Sequence, residues 1–380
     1  MTTKGSREIF IITGESSGDQ HAAKYVKEHL LLNKELYFSG IGQESMRDEG
    51  VSLIYNSEDI SVVGLTEVIF KYHKIKSVMD LAKKYIYEKK PALIVLVDYV
   101  EFNLKIASYA KSLGIPTLFY IAPQVWAWRE SRINNIVKVV DHLAVVFPFE
   151  YDIFSKFTTN VTYVGHPLAD DNELSSDDTN YHNKKYDLGV FPGSRESEIK
   201  NNIYTMLDCI KPSKGKGPDY SNIKIFYSND KTKKLLEKML PISLHDSLKS
   251  GKDRSEIKQC KKAITASGTI TLELALLGIP MVIVYRLSAI SYLIMKRLVK
   301  LKYIGLVNLI LGENLGDKMI VKEYIQPKYH DQVEIMAELD KIDNDTEYRD
   351  RIRNKYLEIR KKLKPGAAKN LAHIANKLIF

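Results

Sequence analysis

The stretch Glu8-Ile9-Phe10-Ile11-Ile12-Thr13-Gly14-Glu15-Ser16-Ser17-Gly18-Asp19 decides how the chain is read. A short apolar, β-branched run reads as a buried strand. The small residues after it let the backbone turn at the carboxyl end of a sheet, and a helix-period segment follows from Gln20 to Leu31. The pattern recurs. Ala92 to Val97, Thr117 to Ile121 and Leu143 to Phe147 read as further strands, with helical segments at Val78 to Glu88 and Leu104 to Ser112. Leu188 to Phe191, Ile223 to Tyr227, Ala263 to Ala266 and Met281 to Tyr285 continue it in the second half. Strands alternating with helices predict the α/β class, with parallel sheets covered by helices. The polar run from Asp170 to Lys185 has no apolar period and separates the two series. The reading is therefore a domain at 1–170, a linker at 171–186, a domain at 187–345, and basic helices at 346–380 packing on or across the domains.

Composition narrows the function classes. With 380 residues, 44% apolar and 27% charged, the chain is an ordinary globular one and not a disordered one. Only two cysteines occur, Cys209 and Cys260, and they lack the close Cys/His spacings of zinc sites; a disulfide scaffold is excluded and a reducing compartment fits. Met1 to Arg7 is too short and polar for a secretory signal. The longest uncharged apolar stretch, Leu274 to Tyr285, falls below the roughly 18 residues that span a bilayer. A cytosolic protein, able to lie on a membrane surface, is expected. A net charge of +9 without a recognition motif gives no reason to expect nucleic acid.

Five strand ends carry the chemistry. After the first strand, Gly14, Glu15, Ser16, Ser17 and Asp19 place two carboxylates where a dinucleotide fold would place a pyrophosphate. The loop therefore suits a hydroxyl-bearing acceptor; a plain strand-to-helix turn served by Asp19 is the simpler alternative. After Leu93 to Val97 comes Asp98, then Tyr99-Val100-Glu101-Phe102-Asn103. A carboxylate at the mouth of a sheet is a candidate general base, and Asp98 or Asn103 also suits a helix cap. Trp126 and Trp128, the only tryptophans, lie in Val125-Trp126-Ala127-Trp128-Arg129 and offer a sugar or acyl surface; Arg129 and Arg132 suit a phosphate. In the second half, Pro192-Gly193-Ser194-Arg195 and Ser267-Gly268-Thr269 each follow a strand and open a helix. Helix-start amides and a guanidinium fork suit a diphosphate, and Glu273, one turn into its helix, suits ribose hydroxyls.

Taken together, these runs resemble lipid-A-disaccharide synthases. The resemblance is carried by Gly14-Glu15-Ser16-Ser17-Gly18-Asp19, Gly40-Ile41-Gly42, Val63-Gly64-Leu65-Thr66-Glu67-Val68, Val125-Trp126-Ala127-Trp128-Arg129, Gly165-His166-Pro167-Leu168-Ala169-Asp170, Pro192-Gly193-Ser194-Arg195, Ala266-Ser267-Gly268-Thr269 and Asn308. It implies a GT-B fold, two Rossmann-like domains with parallel sheets facing a central cleft. It implies inverting transfer of 2,3-diacylglucosamine from UDP-2,3-diacylglucosamine to the 6-hydroxyl of 2,3-diacylglucosamine 1-phosphate, in lipid A biosynthesis. On this resemblance Asp98, with Glu15 second, is the base. Arg195, Ser194, Ser267, Gly268, Thr269, Glu273 and Asn308 take the UDP. Gly14, Ser17, Asp19, Asn103, Trp126, Trp128 and Arg129 take the acceptor. No cofactor and no metal are expected.

The family's usual Asp-Ala-Pro-Asp-Phe-Asn stands here as Asp98-Tyr99-Val100-Glu101-Phe102-Asn103, and its Ser-Asp before Ala-Ser-Gly-Thr as Lys261-Lys262, which reads as a more basic donor neighbourhood. A basic, apolar segment holding Tyr292, Leu293, Lys296, Arg297, Leu298, Lys300 and Lys302 suits anionic lipid. With that segment, the resemblance implies a protein on the cytoplasmic face of the inner membrane of a Gram-negative bacterium, with a homodimer left open. The alternatives are another GT-B UDP-N-acetylglucosamine transferase or epimerase, and a catalytically silent membrane-surface binding protein.

Overall fold

A computed structural model describes residues 7–60, 65–122, 131–174, 181–210, 222–287, 303–312 and 319–380. The chain divides into two units, one of residues 1–170 with 363–380 and the other of residues 171–362.

The first unit holds β1 (Glu8–Thr13), β2 (Tyr37–Gly42), β3 (Ser52–Asn56), β4 (Leu93–Val97), β5 (Thr117–Tyr120), β6 (His142–Val145) and β7 (Val161–Tyr163) in one parallel sheet of order β3-β2-β1-β4-β5-β6-β7. Every residue of β1 and β4 is buried, as expected of central parallel strands covered on both faces. Helices α1 (Ser16–Leu32), α2 (Glu44–Asp48), α3 (Leu65–Lys89), α4 (Val100–Ser112), α5 (Ser131–Val139) and α6 (Pro148–Phe154) connect them. Phe10, Ile12, Ile94, Leu96, Phe102, Ile106, Ile133 and Ile136 share one core.

The second unit holds β8 (Leu188–Phe191), β9 (Ile223–Tyr227), β10 (Leu248–Ser250), β11 (Ala263–Thr265), β12 (Met281–Tyr285) and β13 (Glu323–Ile325), parallel in the order β10-β9-β8-β11-β12-β13. Its helices are α7 (Glu196–Asp208), α8 (Asp230–Met239), α9 (Arg254–Lys258), α10 (Thr269–Leu276), α11 (Leu306–Leu311), α12 (Tyr329–Asn344) and α13 (Thr346–Lys362). The last helix, α14 (Ala367–Ile379), returns to the first unit. There His166 N–H donates to the Leu363 carbonyl at 2.9 Å and the Asn370 amide to the Val164 carbonyl at 2.9 Å.

Two readings of the chain's organisation change. The block 346–380 is split, since α13 belongs to the second unit and α14 to the first. The segment expected as a linker is anchored in the second unit: Leu174, Tyr181 and Tyr186 are buried, and Tyr181 donates to Asp343 Oδ1. A few apolar side chains set in a polar run suffice to fix it.

Strand order reverses between β1 and β4, and between β8 and β11. At such switch points the loops leaving neighbouring strands diverge to opposite faces, which opens a crevice at the carboxyl end of the sheet. Four of the loops singled out in the sequence, those after β1, β4, β8 and β11, flank these two crevices.

Candidate active site

In the first unit, Thr13 of β1 pairs with Val97 of β4, so Gly14 and Asp98 leave the sheet side by side. Asp98 and Tyr99 both adopt left-handed backbone, with φ of 50° and 47°. Each costs a non-glycine residue on the order of 1–2 kcal/mol. The turn is held from three sides. Asp98 N–H continues the sheet to the Tyr120 carbonyl at 3.2 Å. The fully buried Asn103 amide donates to the carbonyls of Asp98 at 2.6 Å and Val97 at 3.3 Å. The Tyr99 ring stacks on Phe102 with centroids 5.2 Å apart, and its hydroxyl donates to the Ile60 carbonyl at 3.2 Å. That ring covers Gly14 so closely that a Cβ there would lie 2.3 Å from it. Burial, with the Glu15 carboxylate adding to it, pushes the Tyr99 phenol up to about 12. Asp98 is half-buried at the crevice, and Glu15 is half-buried at the N-cap of α1 without capping it by its side chain.

Three sequence-predicted acceptor residues acquire different settings. Asp19 is buried, and its carboxylate accepts from the N–H groups of Gln43 at 2.6 Å, Ser45 at 2.9 Å and Met46 at 3.4 Å. It caps α2 rather than its own helix. Asn103 spends its donors on the Asp98 turn, while Ser17 stays exposed. Arg132 lies 2.7 Å from Glu101, both largely exposed. Trp126, Trp128 and Arg129, and the segment from Tyr292 to Lys302 including Leu293, Lys296, Arg297, Leu298 and Lys300, lie outside the described residues.

In the second unit the two loops differ. The amides of Ser194 and Arg195, expected to be exposed, donate to Glu198 Oε2 at 3.0 and 3.3 Å. What that loop offers an anion is the Arg195 side chain, 52% exposed and 3.7 Å from Glu198 Oε1. The β11 loop is open instead: Gly268 is the N-cap of α10 with φ 154°, no side chain caps the helix, and a Cβ on Gly268 would meet nothing within 4 Å. Bare helix-start amides with space before them are what an incoming phosphate needs. Glu273, one turn on, lies 2.7 Å from Arg254, a residue the sequence reading passed over. Burial raises the Glu273 carboxyl and Arg254 offsets it.

Asn308 is fully buried. Its amide donates to the Val321 carbonyl at 2.7 Å and to Glu323 at 2.6 Å, and its oxygen accepts from the N–H groups of Ile320 and Val321 at 3.2 Å each. Glu323 also accepts from the N–H groups of Ile304 and Gly305. With both amide hydrogens donated and its oxygen accepting twice, Asn308 ties α11 to the chain that enters β13. Lys261 and Lys262 do not make the donor loops basic. They precede β11, at the opposite end of the sheet; Lys261 lies 2.8 Å from Asp187, and Lys262 is buried in an ion pair with Asp343.

Two parallel-sheet units with loops of this kind at both switch points define a protein of the GT-B type. In keeping with this, the fold is similar to a solved glycotransferase of kitacinnamycin (TM-score 0.63, 11% identity, 99% of this chain and 100% of that one). It is also similar to S. aureus MnaA in a co-structure with UDP (TM-score 0.57, 15% identity, 95% and 93%). Residues 9–378 match the family described as Lipid-A-disaccharide synthetase, and the chain belongs to that family. Relatives named lipid-A-disaccharide synthase include those of Geobacter metallireducens, 35% identical over 96% of this chain and 95% of its own length. That of Coxiella burnetii is 33% identical over 99% of each. The chain is accordingly a UDP-sugar-dependent hexosyltransferase.

Proposed function

We propose that the chain transfers 2,3-diacylglucosamine from UDP-2,3-diacylglucosamine to O6 of 2,3-diacylglucosamine 1-phosphate, with Asp98 as the base. An alcohol is a weak nucleophile at neutral pH, and a placed carboxylate that takes its proton contributes roughly 10² to 10⁴ in rate. The O6 proton passes to Asp98 as O6 bonds to C1 of the donor sugar. The bond from C1 to the phosphate oxygen breaks, its electron pair leaves with UDP, and C1 inverts. The diphosphate rests on the amides of Ser267, Gly268 and Thr269 with the Arg195 guanidinium, whose preorganised charge stabilises the leaving group. Glu273 accepts from the ribose hydroxyls.

The observation that carries this reading is Asp98 itself, a carboxylate fixed in a strained left-handed turn directly beyond a fully buried strand. Backbone strain of this kind persists where the surrounding structure overdetermines it, and it concentrates at functional sites. Asp98→Asn keeps the shape and removes the base. Turnover should fall by about 10² to 10⁴ while UDP affinity, measured by calorimetry, stays unchanged. Near-normal turnover would move the base elsewhere, with Glu15 next in line.

Membrane association is part of the same proposal. Among the described residues no helix is long and apolar enough to cross a membrane, and the acylated substrates require access to one. The segment from Tyr292 to Lys302 would lie on the anionic inner-membrane surface, each cation contributing about 1 kcal/mol, screened by salt. Co-sedimentation with anionic vesicles should weaken as salt rises, and should weaken when Lys296, Arg297, Lys300 and Lys302 are all changed to Gln. Folded protein with salt-independent binding would refute that part.

A further inference from the structure

We propose that Arg254 is a positioning residue of the donor site, holding Glu273 so that one carboxylate oxygen faces the ribose hydroxyls; this rests on the donor reading above. The two side chains are 20% and 15% exposed, and Arg254 Nη1 lies 2.7 Å from Glu273 Oε2. The same Nη1 donates to the Gly251 carbonyl at 3.1 Å, so the guanidinium is anchored to the loop after β10. Its own backbone is fixed at the first residue of α9, which Asp253 caps by accepting from the N–H groups of Ser255 at 3.0 Å and Glu256 at 3.2 Å. The loops after β10 and β11 both leave the carboxyl end of the second sheet, so Arg254 and Glu273 meet on the side of the sheet where the donor loops lie.

Three consequences follow. Oε2 is shut off from solvent beside the guanidinium, in an ion pair without a hydrogen bond, which leaves Oε1 as the oxygen that accepts from a ligand. A carboxylate with one oxygen drawn to an anchored cation has a set direction, and a set direction is what recognition of two vicinal hydroxyls needs. Arg254 also keeps the group ionised, because burial and the neighbouring Asp171 carboxylate both push Glu273 toward the protonated form, and the guanidinium opposes them. An ionised acceptor makes the stronger hydrogen bond.

The test is calorimetry on the full chain with UDP and with 2′,3′-dideoxyuridine 5′-diphosphate, using wild type, R254M, R254Q, E273Q and the R254M/E273Q double variant. Wild type should prefer UDP by about tenfold or more, the weight of a hydrogen bond to a charged group. R254M and E273Q should each bring that preference close to one, and the double variant should lose no more than either alone. A purely structural ion pair would lower the melting temperature without touching the ratio. R254M that keeps the wild-type preference therefore overturns the proposal. R254Q, which keeps a donor for Gly251, carries the same two outcomes if R254M does not fold. If E273Q itself keeps the preference, the ribose assignment of Glu273 fails, and that result is separate from a failure of Arg254 alone.

Discussion

The turns after β4 and β11 occupy corresponding places in their sheets, each beside a switch point and each opening a helix, yet they are built in opposite ways. The second uses Gly268, which takes its φ of 154° without a Cβ, leaves open space in front of α10, and is held by the Thr271 hydroxyl donating to its carbonyl at 2.7 Å. The first uses Asp98 and Tyr99, which are poorly suited to left-handed backbone, and clamps them with the buried Asn103. The difference matches the roles we propose for the two turns. A phosphate is met by backbone amides, so the side chain is best absent. A proton is taken by one carboxylate, so the side chain must be present and aimed, and the fold carries a backbone cost for that.

Removing each clamp separates the two turns most strongly. Asn103→Ala leaves the carbonyls of Val97 and Asp98 without their donor in a buried setting, at about 1–3 kcal/mol for each group left unsatisfied. It also frees the strained turn to relax. Turnover should fall by at least about tenfold, as expected when a reacting group loses its alignment, with UDP affinity unchanged. Thr271→Val removes a single hydroxyl donor at constant shape and should cost about 1 kcal/mol, with a modest loss of UDP affinity. Melting curves and initial rates on the two variants measure both. Equal losses of turnover would mean that the Asp98 turn is not aimed in any special way.

How much of this was legible beforehand depends on the range of the interaction. The central strands announce themselves because both faces are buried and the sequence runs apolar, as Leu93 to Val97 does. The edge and near-edge strands do not. Tyr37–Gly42 carries two glycines and a serine, and its buried Ser39 donates to Glu8 Oε1 on the neighbouring strand, a polar pair that no periodicity reveals. Strands β7, β10 and β13 have three residues each, too short for a pattern. The loops at the strand ends were legible for the same reason as the strands before them. Their partners were not: Arg254 with Glu273, Asn308 with Glu323, and Asp19 with the start of α2 are contacts that only the folded topology brings together. The Lys261-Lys262 pair misled because two adjacent lysines look like surface charge until β11 places them at the far end of its sheet.

Acid should separate the two units further, because buried neutral histidines sit in the first. His29 and His166 are 0% and 7% exposed. Burial lowers the first to about 4 and the second to about 3. His166 Nδ1 accepts from the Leu168 N–H at 3.1 Å, an interaction that a proton on that nitrogen would abolish, and His21 adds an opposing charge if it protonates. Between the ordinary histidine value near 6.5 and these lowered ones, the unfolded chain binds protons that the folded unit does not. Stability is therefore complete above about 6.5 and is lost as pH falls toward 4. At pH 5.5 each of the two groups should cost on the order of 1 kcal/mol. Hydrogen exchange across the pH range should show β1 and β4 losing protection before β8 and β11. His166→Gln should remove part of the dependence, and protection falling in parallel in both sheets would contradict the assignment.

The smallest effect is expected three residues beyond Asp98. Glu101 stands where the family usually has aspartate, and the extra methylene would matter if this carboxylate worked beside Asp98. It is instead largely exposed, with its Oε1 2.7 Å from Arg132 Nη2, which is itself 46% exposed. An ion pair that far into solvent contributes roughly 0.2–1 kcal/mol, screened by salt. Asp98 and Glu101 are thus neighbours in sequence with different settings: the first is held by the strand end and Asn103, while the second is at the solvent-facing start of α4. Glu101→Ala should lower the melting free energy by less than about 1 kcal/mol and leave turnover within a factor of two or so. Glu101→Asp should be indistinguishable from wild type. A tenfold loss of turnover in the alanine variant, with normal melting, would place this carboxylate in the acceptor site and make the β4 turn a two-acid device.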